Sequence, residues 1–162
     1  MNIFEFAMKM EKDGEDYYRD LAGKTTNEGL KYILTMLADA EVKHYDILKK
    51  MSKAETNPGY VETDVLKSAK NVFVEMKEKK DSFELGDSQV DFYKKAYDIE
   101  EKSYKFYLEK SDEVPTVEQK KLLLQIAEEE KKHMHLMDNL AEFVSRPETW
   151  VENAEFNKLE EY

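Results

Sequence analysis

The sequence predicts an all-α fold, a four-helix bundle with one long crossover between its second and third helices. Three observations carry that prediction. Glycine and proline number only 5 and 3 in 162 residues, while Lys and Glu abound, a composition that favours helices. Four segments place small, apolar or special residues at alternating three- and four-residue steps, so that each forms one stripe along one helix. The chain also reads twice: a shift of 89 residues superposes Glu11 on Glu100, Tyr18 on Tyr107, Glu41 on Glu130 and His44 on His133 without a gap. Ala7/Ala96, Leu34/Leu123, Ala38/Ala127 and Lys43/Lys132 match in the same register.

The first stripe is Phe4, Ala7, Glu11, Gly14, Tyr18 and Leu21. Asn2 with Glu5 has the spacing of a capping box at its start, and the stretch from Gly23 to Asn27 breaks this helix and caps the next. The second stripe is Leu30, Leu34, Leu37, Glu41, His44, Leu48 and Met51. The third, opened by Gly86, Asp87 and Ser88, is Tyr93, Ala96, Glu100, Ser103 and Tyr107. The fourth follows Pro115 and Thr116, the latter in capping-box spacing with Gln119, and runs Gln119, Leu123, Ile126, Glu130, His133, Met137, Leu140 and Val144. Short turns make helices 1 and 2 one antiparallel hairpin and helices 3 and 4 another.

Residues 54–87 form the connection between the hairpins. Asn57-Pro58-Gly59 reads as a turn, and Val65, Ala69, Val72, Phe73 and Met76 as a short amphipathic helix lying on the bundle. A connection of this length lets helix 3 start at the opposite end from the one a short loop would force. The bundle is thus expected over residues 1–145. Residues 146–162, with Trp150 and Phe156, form a tail expected to pack on the bundle or on a partner subunit.

The formal net charge of −11 argues against nucleic acid or an anionic membrane as partner. The absence of cysteine excludes disulfides, cysteine-held zinc or iron and a thiol nucleophile. The first ten residues carry Glu5 and Lys9 and no long apolar run, and nothing approaches a membrane span, so a cytoplasmic location is expected.

Four Glu and two His stand where a bundle would ordinarily place Leu. A charged residue on such a stripe is costly unless paired or metal-bound. All six fall at one level. The midpoint of Glu11 and Glu41 is residue 26, inside the first turn, and that of Glu100 and Glu130 is Pro115. Each Glu is therefore roughly 22 Å from its turn at the rise of an α-helix. His44 and His133 follow Glu41 and Glu130 by three residues, one turn on along the same face. One Glu-x-x-His in a Lys/Glu-rich helix is ordinarily a surface pair. Two copies, each 30 residues after another striped Glu, point instead to ligands. Four carboxylates balance two Fe(II), two can bridge and two be terminal, and each imidazole can take one metal; Mn fits the same donors, and Zn could bind but brings no redox chemistry.

Glu15, Glu101, Glu128 and Glu129 lie off the stripes and are expected in solvent, and His135 points away from His133. Tyr18 and Tyr107 lie two turns beyond Glu11 and Glu100 and are either core aromatics or hydrogen-bond donors to a ligand carboxylate. Gly14 and Ser103 are the small residues on the ligand stripes, leaving room for a small oxidant or for close helix approach.

In Glu11-x6-Tyr18, Glu41-x-x-His44, Glu100-x6-Tyr107 and Glu130-x-x-His133 the chain resembles the rubrerythrin and ferritin-like di-iron carboxylate family over about residues 1–145. The resemblance implies a ferritin-like bundle with two iron ions held by Glu11, Glu41, His44, Glu100, Glu130 and His133. The activities it implies are hydrogen peroxide reduction, Fe(II) oxidation or iron storage. Two features depart from the pattern. Rubrerythrins carry a further carboxylate one turn after the helix-3 Glu, where this chain has Ser103, and most carry a rubredoxin-like module whose four cysteines hold iron. The expected function is peroxide reduction with electrons from a separate redox protein, in a homodimer or higher homo-oligomer. The rivals are a ferroxidase or iron-storage protein acting on oxygen, and a non-enzymatic metal-binding helical interaction module. A manganese enzyme of catalase type is a weaker option.

Overall fold

The computed structural model describes residues 2–53 and 87–145, which form four α-helices and no strand: α1 (Ile3–Lys24), α2 (Glu28–Ser52), α3 (Asp87–Lys110) and α4 (Val117–Ser145). The turn at 57–59, the amphipathic stretch at 65–76 and the tail at 146–162 lie outside the described residues.

Local chemistry accounts for the ends. Asn2 Oδ1 accepts from Glu5 N at 2.8 Å and Glu5 Oε2 accepts from Asn2 N at 3.3 Å, a complete capping box at the start of α1. α1 runs through Gly23 and stops at Lys24, where Thr25 turns extended and gives its N–H to Leu21 O. Asn27 caps α2 by accepting from Leu30 N at 2.9 Å. Thr116 Oγ1 accepts from Gln119 N at 3.1 Å. The return bond of that box is missing, since Gln119 Oε1 has no partner.

The two hairpins pack most closely within themselves, α1 on α2 and α3 on α4. Direction follows from contacts across helices. Arg19 pairs with Asp39 while Glu11 faces His44, so α1 and α2 are antiparallel. Tyr18 reaches Glu100 while Tyr107 reaches Glu11, so α1 and α3 are antiparallel as well. It follows that α2 and α3 run parallel, and Ser52 and Asp87 lie at opposite ends of the bundle. This is the crossover topology.

Two apolar clusters fill the interior. One, at the α1–α2 turn end, contains Leu21, Leu30, Leu34, Leu37, Tyr93, Ala96, Met137 and Leu140. The other, at the opposite end, contains Ala7, Leu48, Met51, Leu122, Leu123 and Ile126. Each fully buried Leu or Ile contributes about 2 kcal/mol. The layer between the clusters contains no such residue on the stripes. It contains Glu11, Glu41, His44, Glu100, Glu130 and His133, all buried. Stability thus comes from the two ends, and the ends hold the middle in place. Among the described residues no helix is long and apolar enough to cross a membrane.

Candidate metal centre

The structure brings all six striped residues together. They form two overlapping groups, Glu11, Glu41, His44 and Glu130 in one and Glu41, Glu100, Glu130 and His133 in the other, and within each group one ligand atom per residue lies within 4.8 Å of every other. Glu41 and Glu130 belong to both groups. Glu11 and His44 belong only to the first, Glu100 and His133 only to the second. Two cations could therefore lie side by side, spanned by Glu41 and Glu130 and flanked by one carboxylate and one imidazole each.

The atoms fit such occupants. Glu11 Oε2, Glu100 Oε2, both oxygens of Glu130 and both ring nitrogens of His44 and His133 are buried with no hydrogen-bond partner. Buried polar atoms are almost always satisfied. Five neighbouring residues that leave so many atoms unsatisfied, with Glu41 beside them, make a donor set of carboxylate oxygen and imidazole nitrogen, suited to iron, manganese or zinc. The imidazole rings lie 6.3 Å apart and close to parallel. Each turns Nδ1 toward the carboxylates: His44 Nδ1 is 2.9 Å from Glu130 and 3.5 Å from Glu11, and His133 Nδ1 is 3.7 Å from Glu100.

The tyrosines act across the bundle. Tyr18 of α1 donates its hydroxyl proton to Glu100 of α3, and Tyr107 of α3 donates to Glu11 of α1 at 2.6 Å. Burial first, and the neighbouring carboxylates second, push both hydroxyls well above the usual tyrosine range, so they remain donors.

Gly14 has a specific reason. A Cβ there would come within 3.1 Å of Glu41 Oε2, so the glycine lets the carboxylate lie against the α1 backbone. The space beside Gly14 is filled by Glu41, and of the two expectations for this residue close approach is the one that holds. Ser103 is buried.

One expectation is corrected. Glu129 is buried, with 6% of its surface exposed, and faces the Nε2 atoms of both His44 and His133. α4 buries a stripe wider than one seam, and Glu129 falls in the heptad row Leu122, Glu129, Leu136, Phe143, every member of which is buried. That row was the available signal. Glu128 is exposed, and Glu15 and Glu101 pair with Arg19 and Lys105 at the surface. His135 is in neither ligand group.

Crowding shapes the protonation of the metal-free layer. Burial, then the charges of the other carboxylates, raises Glu41 and Glu130 well above the ordinary carboxylate range. Burial also acts upward on Glu100, but the adjacent Glu130 carboxyl, the facing His133 imidazole and the Tyr18 hydroxyl outweigh it and bring Glu100 down to about 2. For His44 burial acts downward, and the close carboxylates of Glu11, Glu129 and Glu130 outweigh it and raise the imidazole well above 6.5. Raised groups hold protons in the folded state that the unfolded chain releases. Their stabilisation is complete below the unfolded values, 4.5 for Glu and 6.5 for His, and is lost as pH rises through the folded values. Glu100 works oppositely, its contribution present above 4.5 and lost only as pH falls toward 2. Chelator-treated protein should therefore show a thermal midpoint that falls as pH rises between about 5 and 8, whereas metal-loaded protein should not. Melting curves in buffers of equal ionic strength check this; a midpoint rising with pH in the metal-free form would contradict it.

A family model described as Rubrerythrin matches residues 2–141. No curated protein and no solved structure gives a match.

Proposed function

The chain belongs to the rubrerythrin family, and from that premise we propose that it is a non-haem di-iron oxidoreductase that reduces hydrogen peroxide with electrons from a separate redox protein. The observation that carries the reading is the pair of overlapping ligand groups sharing Glu41 and Glu130 within a buried layer. When bound, two Fe(II) ions supply one electron each for cleavage of the O–O bond. Manganese and zinc fit the donor set, but only a redox pair serves this reaction.

The chain's own residues do the following. Glu41 and Glu130 are the shared carboxylates; Glu11 with His44 and Glu100 with His133 complete one position each. Carboxylates and imidazoles bind cations deprotonated, so Glu41 and Glu130 release their protons as the cations enter. Tyr18 and Tyr107 each hold one hydrogen bond on a terminal carboxylate, Glu100 and Glu11, and tie α1 to α3 at the level of the site. The apolar clusters above and below limit water around the layer, which strengthens each charge interaction inside it. The protein acts in the cytoplasm as a homodimer or higher homo-oligomer.

The test is anaerobic loading with Fe(II), followed by rapid mixing with hydrogen peroxide or with oxygen. The reading expects faster iron oxidation by peroxide than by oxygen, with one peroxide consumed for every two Fe(II) oxidised. Faster oxidation by oxygen, with iron retained beyond two per chain in a large closed assembly, would replace it with a ferroxidase and storage role. An unreactive bound metal would leave the metal-binding helical module.

A further inference from the structure

We propose that Glu129 is a positioning residue that orients both ligand histidines at once, an inference that rests on reading His44 and His133 as ligands. Its Oε2 lies 3.5 Å from His44 Nε2 and its Oε1 lies 3.9 Å from His133 Nε2. One oxygen faces each ring. The opposite ring nitrogens, both Nδ1, face the carboxylate layer. A neutral imidazole carries one N–H and one lone pair. A hydrogen bond from Nε2–H to the facing carboxylate oxygen, made as these separations close when a cation binds, would leave the Nδ1 lone pair directed at the cation and fix both tautomer and ring rotation.

Two features mark Glu129 as placed for this work. Its heptad neighbours on α4 are Leu122, Leu136 and Phe143, so an apolar side chain is the ordinary occupant of the position. A buried carboxylate there is costly unless it meets donors, and among the groups it faces are two histidines, one on α2 and one on its own helix. Glu129 also breaks the internal repeat. Its counterpart 89 residues earlier is Ala40, likewise buried, so the first half of the chain has no equivalent carboxylate. A single side chain serves both rings, and it couples the two cation positions: disturbing it loosens both imidazoles together, whereas loss of either histidine affects one.

Cobalt(II) titration of the metal-free protein tests this, with proton NMR of the cobalt form as a readout independent of activity. Two hyperfine-shifted, exchangeable imidazole N–H signals are expected in the wild type, one per histidine. Glu129→Leu suits the heptad row and should fold; it should lose cobalt affinity at both positions by about 10–100-fold, with both N–H signals broadened by exchange with water. Glu129→Gln keeps one acceptor oxygen and should preserve one of the two signals. Full affinity and both signals intact in Glu129→Leu would overturn the positioning role while leaving the ligand reading standing. A wild type that binds no cobalt would remove the ligand reading, and this inference with it.

Discussion

Glu130→Ala should weaken both metal positions together, whereas Glu100→Ala should spare one. Glu130 belongs to both ligand groups, and Glu100 only to the second. Removing Glu130 takes a donor from each position and leaves three carboxylates against the four charges of two divalent cations, an unbalanced charge in a layer exposed by only a few per cent. The expected loss exceeds about 100-fold at both positions, beyond what disturbing a supporting group costs. Glu41→Ala should behave like Glu130→Ala, and Glu11→Ala like Glu100→Ala. Anaerobic calorimetric titration with Fe(II) reads this as a change in stoichiometry: about two ions in the wild type, about one tight ion in the terminal-ligand variants, none tight in the shared-ligand variants. A Glu130→Ala protein that keeps one full-affinity position would contradict the shared assignment.

Stability should move in the opposite direction from binding. Without metal, the layer crowds four carboxyl groups so closely that Glu41 and Glu130 are driven toward the protonated form, and it leaves buried atoms without partners; replacing buried polar and ionic groups with apolar side chains of similar volume commonly stabilises by about 1–4 kcal/mol. The double variant Glu41→Met, Glu130→Met should therefore melt higher than the wild type when both are metal-free. It should also lose the rise in midpoint that added Fe(II) produces in the wild type, since only a binding-competent folded state gains from ligand. Calorimetric melts with and without metal give all four numbers. A metal-free double variant less stable than the metal-free wild type would mean that the charged layer is better satisfied than its unpartnered atoms indicate.

Both results would express one fact about how this chain is written. Within a helix, position around the axis follows from spacing alone, so the stripes of α1 to α4 could be read directly, as could the caps at Asn2, Asn27 and Thr116. The 89-residue repeat and the equal distance of each Glu from its turn place six polar residues at one level for the same reason: rise per residue is constant. Tyr18 stands about two turns from Glu11 along α1, some 10 Å, too far to touch it. It meets Glu100 instead, because α3 runs antiparallel beside α1.

Contacts between helices depend on quantities that spacing does not contain. Glu129 lies about 100° around α4 from Glu130, and whether that direction faces water or α2 is a matter of how α4 is rotated in the bundle. The role of Gly14 likewise depends on how near α2 comes to the α1 backbone, since the glycine matters only when Glu41 occupies the space a Cβ would take. The sequence by itself determined the four described helices, their order, the level of the polar layer and the identity of its six carboxyl and imidazole residues, because these follow from periodicity along one chain direction. The tertiary structure alone decided that Glu41 and Glu130 are shared, that each tyrosine serves the opposite half and that Glu129 faces both histidines, because these depend on the rotation and separation of neighbouring helices packed over two apolar clusters.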